Sequence, residues 1–123
     1  MSMKCEDQSL NYYDLCIKGS IRIKPQHSLP YTAGVLANVL GITFREDPSG
    51  TYDEFPSWSA EALGLLFSLL GIPDEDSNIS GATDYSLEVR LSDRMHSMAE
   101  YECDISRYLA KLIRTKSTLI VVE

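Results

Sequence analysis

Histidine is scarce in this sequence: His27 and His96 are the only two among 123 residues. Nucleophilic catalysis by Ser or Cys needs an imidazole beside it, and both histidines stand in expected loops. Asp14, Cys16 and His27 are close enough in sequence to be weighed as a set, but Cys16 lies within a strand pattern, so a Cys–His enzyme is not expected. Cysteine is sparse as well. Cys5, Cys16 and Cys103 are odd in number, widely spaced and contain no C-x-x-C, which excludes a disulfide framework and a zinc site. Cys16 and Cys103 sit in apolar-periodic stretches and read as buried thiols of a reducing compartment. There is no phosphate loop, dinucleotide fingerprint or EF-hand; Asp74-Glu75-Asp76 lacks the alternate ligands, the sixth-position glycine and the closing glutamate. Neither a metal nor a cofactor is expected. Adjacent carboxylates such as Asp53-Glu54 read as a solvated turn rather than an acid–base pair.

Long hydrophobic runs are missing too. The longest, residues 60–72, is broken by Glu61, Gly64, Ser68 and Gly71, and falls short of the roughly 20 residues a bilayer-spanning helix needs. Met1-Ser2-Met3-Lys4-Cys5 is not followed by a signal-peptide core. The expected compartment is the cytoplasm, with no membrane partner.

Basic residues are almost absent from the middle of the chain. Residues 45–88 hold ten acids against Arg45 alone, a net of −9, whereas residues 1–44 and 89–123 each carry +1. A field of one sign attracts a basic partner and repels nucleic acid, so direct nucleic-acid binding, which needs clustered Lys and Arg, is not expected. The competing account is that the charge serves solubility alone; its segregation favours binding.

What is present is enough for one core. Apolar residues make up 44% of the chain, and a chain this long buries roughly two-thirds of its unfolded surface. Residues 1–9 are polar and expected to form a flexible tail. Residues 11–24 alternate as a long strand, with a bulge or hairpin at Gly19. Ser28 and Pro30 open a helix over 30–40, and Gly41 ends it. Residues 42–55 read as a short hairpin with arms 43–46 and 51–55 around Asp47-Pro48-Ser49-Gly50, a type I turn sequence. Ser57 caps a second, central helix over 58–70, ended by Gly71 and Pro73. Phe55 and Trp58 are expected to fold inward onto that helix, while Tyr52 is the exposed aromatic. Residues 73–84 form a polar loop. Tyr85, Leu87, Val89 and Leu91 alternate with polar residues as a half-buried strand, and 97–103 supply a partner strand after a turn. Asp104 caps a third helix carrying Ile105, Tyr108, Leu109, Leu112 and Ile113 on one face, and 118–122 read as a buried strand. The expected fold is α+β, a mostly antiparallel sheet of about four strands packed by three helices in the order β-α-(hairpin)-α-β-β-α-β, forming a single domain over residues 1–123.

The stretch Tyr52-Asp53-Glu54-Phe55-Pro56-Ser57-Trp58-Ser59-Ala60-Glu61-Ala62-Leu63-Gly64, followed by Leu69-Leu70-Gly71-Ile72-Pro73-Asp74, resembles immunity proteins of bacterial contact-dependent growth inhibition. The resemblance covers residues 50–92. It implies a small, acidic, cytoplasmic, non-catalytic protein that binds the C-terminal domain of a cognate toxin, and a β-α-α-β-α-β order would fit many such proteins. Many of those toxins are nucleases with basic sites, which an acidic surface can cover by matching the substrate's charge. The residues expected to meet that partner are Glu46, Asp47, Tyr52, Asp53 and Glu54 in one cluster and Asp74, Glu75, Asp76 and Asp84 in another. A helix of about 20 Å between them would hold the clusters apart, so the first is the preferred contact. Two other readings stand beside this one. The chain is a small adaptor or regulatory protein, dimeric through a sheet edge, or it holds a small-molecule pocket between sheet and helices.

Overall fold

A computed structural model describes residues 15–48, 51–52, 55–73, 83–92 and 101–122. Among them the order is β1 (Leu15–Ile23), α1 (Leu29–Leu40), β2 (Arg45–Glu46), β3 (Ser57–Ala62), β4 (Leu65–Leu70), β5 (Tyr85–Leu91), β6 (Tyr101–Asp104), α2 (Ser106–Lys116) and β7 (Val121–Val122). All seven strands join one sheet in the order β2-β3-β4-β5-β1-β6, with β7 also on β1. Every pairing is antiparallel except β1 with β6. The α+β class and the mostly antiparallel sheet agree with the sequence; the described residues hold two helices rather than three, and seven strands rather than four.

The first helix matches its local signals. The Ser28 hydroxyl oxygen accepts from the Tyr31 N–H at 3.2 Å, Pro30 needs no partner in the first turn, and Gly41 ends the helix at φ +71°. The third expected helix is α2. Asp104 accepts from the Ser106 N–H at 2.9 Å and from its hydroxyl at 2.5 Å, but it stands one residue before the N-cap, which is Ile105 and has no side-chain cap bond; the expected cap meets one backbone donor from outside the helix.

The second expected helix is instead the hairpin β3–β4. Residues 57–62 read Ser-Trp-Ser-Ala-Glu-Ala, a strict polar–apolar alternation, and Leu63-Gly64 then reverses the chain with φ of +56° and +76°. Positive φ at both turn residues is what a two-residue hairpin requires. Ser57 caps nothing; it is buried in β3. The Leu- and Ala-rich composition favours a helix, but a buried apolar run cannot be told from a strand by composition, and in the sheet β4 satisfies its backbone on both edges.

Other boundaries move for related reasons. Residue 19 is neither bulge nor turn. β1 runs through it, pairing with β6 over 15–18 on one edge and with β5 over 19–23 on the other. A Cβ on Gly19 would stand 3.2 Å from both Ile105 and Leu109, so the glycine admits α2 against the strand. β2 pairs with β3, not with the described residues of 51–55; among these Tyr52 and Phe55 form an isolated bridge. Among the described residues the strand after β5 is Tyr101–Asp104, and it pairs with β1 rather than with β5.

Both helices cover one face of the sheet. Ile21, Ile23, Leu87, Val89, Phe67, Leu69 and Ala60 point to that face and pack with Ala33, Leu36, Leu109 and Ile113. Trp58 joins this core partly buried. Cys16 is buried as expected, but Cys103 is exposed, because its strand lies on the outer side of β1.

Leu40-Gly41-Ile42 and Leu70-Gly71-Ile72 do not share a cap. Gly71 donates its N–H to Pro56 at 2.7 Å, and a Cβ there would stand 2.8 Å from Leu29 and 2.9 Å from Pro56. Gly71→Ala is expected to destabilise the protein by about 1–3 kcal/mol through overpacking, whereas Leu63→Asn, which relieves an exposed left-handed residue, is expected to stabilise it by about 0.5–1 kcal/mol. Urea denaturation of both variants checks the opposite signs.

Candidate functional site: the helix-free sheet face and its acidic end

The polar phase of the strands faces away from the helices. Cross-strand register puts Ser59, Ser68, Glu88 and Ser20 in one row and Ser57, Leu70, Ser86 and Arg22 in the next. Two carboxylates organise these rows. Oδ2 of Asp47 accepts from the Ser57 hydroxyl at 2.8 Å and the Ser59 hydroxyl at 2.5 Å. Oε2 of Glu88 accepts from the Ser20 hydroxyl at 2.8 Å and from the Ser86 hydroxyl. Tyr52 lies over the same face, its hydroxyl 2.8 Å from that of buried Ser68. Asp47 thereby satisfies the hydroxyl of buried Ser57, which would otherwise be costly to cover.

The hairpin gives this face a polarity. Ser57 pairs with Leu70, and Leu70 with Ser86, so β3 begins, β4 ends and β5 begins at one end of the sheet. Residues 46–56 lead into Ser57, and residues 71–85 connect Leu70 to Ser86. Eight of the ten acids of residues 45–88 belong to these two segments. The Gly71 bond to Pro56 ties the segments together where they meet the sheet. The separation of the two clusters by a helix is therefore overturned, because the intervening residues double back.

The expected contact residues fall as follows. Glu46 is exposed on β2, beside Trp58 in register. Asp47 is half-buried, with one oxygen taken by the two serines. Tyr52 is half-buried rather than exposed, because its hydroxyl reaches Ser68. Asp84 is half-buried, 3.7 Å from Arg22. Asp53, Glu54, Asp74, Glu75 and Asp76 lie outside the described residues. The serines and Glu88 were not singled out from the sequence as site residues, although the polar phase of Ser57–Ala62 and Tyr85–Leu91 marks their positions.

The hydroxyls of Ser20, Ser57, Ser59 and Ser86 donate to carboxylates, and His27, the one histidine among the described residues, packs tilted against Tyr31 at 4.6 Å between ring centres. Cys16 lies near the start of β1 and His27 beyond its other end; the strand from Cys16 to Ile23 alone spans about 23 Å, so the two do not meet. Among the described residues no three His, Cys, Asp or Glu side chains are placed to hold a metal, and no helix is long and apolar enough to cross a membrane. The Tyr85 hydroxyl donates to the His27 carbonyl at 2.7 Å, and burial raises its pKa, so it stays a neutral donor.

At the far end of the sheet, the Ser106 hydroxyl and N–H together hold the Asp104 pKa below its ordinary value. A depressed carboxylate stabilises the fold above its unfolded pKa of 3.8, and the contribution fades as pH falls through the lower folded value. The stability gap between wild type and Asp104→Ala should therefore narrow as pH drops below 3.8, as followed by thermal melts across acidic pH. Asp47→Ala leaves the buried Ser57 hydroxyl without its acceptor and is expected to cost about 1–3 kcal/mol, measured by urea denaturation, with Ser57→Ala/Asp47→Ala recovering part of the loss.

No protein-family model, no curated protein and no solved structure matches this chain.

Proposed function

We propose that this protein is a non-catalytic binding protein of the toxin-immunity kind, docking its acidic sheet end on a basic, nuclease-like toxin domain. The observation that carries the reading is the Ser57–Leu70–Ser86 register, which brings both acidic segments to the sheet from one end. One partner can then meet both segments with an ordinary footprint of about 800 Å² per side.

Charge alone sets the encounter. Like charges gathered at one end form a local field that raises the association rate with a basic surface and weakens as salt screens it. Exposed Glu46 and the acids of the two segments act as steering groups. Asp47, tied to Ser57 and Ser59, acts instead to keep the edge of the sheet rigid beneath them. The resemblance adds the class of partner but no fold support, since the β-α-α-β-α-β order that would fit it is not the observed order. Cytoplasmic residence belongs to the same reading.

The test is co-purification with the toxin domain encoded immediately upstream. Association that is tight at low salt and slows as salt rises is expected; no association at low salt overturns the proposal. In the same pair, reversing Asp53 and Glu54 to Lys should lower the association rate by roughly tenfold, read by stopped-flow fluorescence, with little change in the melting temperature. An unchanged rate removes that segment from the steering surface.

A further inference from the structure

The acidic segments enter at one end of β3, β4 and β5; the outer edge of β1 carries a cluster of the other sign. A groove of about 870 Å³ runs between α2 and the outer edge of β1, with β7 at one end. Arg107, Lys111 and Arg114 line it from α2, and Arg22 from β1. These three helix residues follow i, i+4, i+7 spacing, so they share one helical face and extend over about 10 Å of axis. Tyr108 also lines the groove and is 64% exposed. Val121 and Val122 supply an apolar wall.

Helix stability does not account for Arg107, Lys111 or Tyr108. The last-turn cations Arg114 and Lys116 suit the negative end of the helix dipole. Arg107 stands in the first turn, where the dipole opposes a cation. Leu109 and Ile113 do the core packing, leaving Tyr108 outside it. Among the described residues no hydrogen bond or ion pair engages Arg107 or Lys111. Arg114 reaches the Val121 carbonyl at 3.4 Å, which fixes one rim, and Arg22 is 3.7 Å from Asp84, a distance that leaves it a weak pair.

We infer that this groove is a binding site for a phosphorylated small ligand of nucleotide size. Cations along one wall meet a polyphosphate, and an exposed tyrosine offers a face on which a base can stack. The volume lies within the range of small-molecule sites, about 300–1,000 Å³. The overall negative charge of the chain does not forbid this, because α2 holds four cations and no acid, and charges beyond a Debye length of about 8 Å are largely screened. The site uses none of the acidic residues of the proposed docking surface except through the Arg22–Asp84 pair, so either assignment can fail without the other.

Calorimetric titration of the full chain with ATP and, separately, with inorganic tripolyphosphate and a poly-glutamate peptide tests it. ATP should bind at low salt and weaken as salt rises. Arg107→Glu/Lys111→Glu should lower that affinity by at least roughly tenfold, and the milder Arg107→Gln/Lys111→Gln by less. Both pairs are exposed, so an unchanged circular dichroism spectrum certifies folding. Tyr108→Ala should weaken ATP while leaving tripolyphosphate unchanged. Absence of ATP binding, or binding untouched by the charge-reversed pair, overturns the inference. Equal binding of tripolyphosphate with no effect of Tyr108→Ala overturns the nucleotide class, and poly-glutamate binding as tight as ATP reassigns the groove to an acidic polypeptide.

Discussion

A two-residue turn at Leu63-Gly64 reverses the chain inside its most apolar stretch, and the arrangement of the remaining strands depends on it. Both residues adopt positive φ, which glycine accepts freely and leucine does not. The strain is tolerable because the turn is exposed, with Leu63 98% accessible, and because the strands on either side recover it. β3 and β4 pair over six residues each, and β4 continues the ladder into β5. The Gly64 carbonyl is held in turn by the Ser92 N–H at 2.9 Å. Without this reversal β4 would not reach β5, and the sheet would lose the strand that joins its halves.

β1 is the second organising element, because it uses both of its edges. One edge carries β5. The other carries β6 at its start and β7 at its end, with α2 spanning between them. The Ser20 N–H, which has no strand partner there among the described residues, donates to the Ser106 hydroxyl at 2.8 Å, and the Ile105 N–H donates to Lys18 at 2.8 Å. The helix thus closes the gap in the sheet edge that its own flanking strands leave, and edge closure of this kind protects against unwanted pairing. Around this junction the Lys18–Glu102 pair, at 3.0 Å, raises the Lys18 pKa through its hydrogen bond and charge; both groups are exposed, so the pair sets register more than stability.

Charge follows the same two elements. The hairpin sends the acidic segments to one end of the sheet, and the β6–α2–β7 unit gathers cations along the outer edge of β1. Net charge and its distribution along the chain describe the first of these well and the second poorly. Residues 89–123 amount to +1, yet folding sets α2's cations beside Arg22, which is distant in sequence.

Local chemistry was readable from the residues alone. Ser28, Pro30 and Gly41 bound a helix whose ends the structure reproduces, and Tyr85 to Leu91 alternate as the strand they form, since each of these signals acts within a few residues. The α+β class follows from them. The hairpin at 57–70 was written in its polar phase, Ser57, Ser59 and Glu61, but Leu and Ala at neighbouring positions serve a buried helix equally well, and only pairing with β5 and β2 distinguishes the two. Partner strands, the face on which Asp47 and Glu88 collect their serines, and the meeting of two acidic segments at one end are long-range facts. They depend on which backbone edges find each other, and that free energy is shared among residues far apart in the chain rather than stored in any one of its segments.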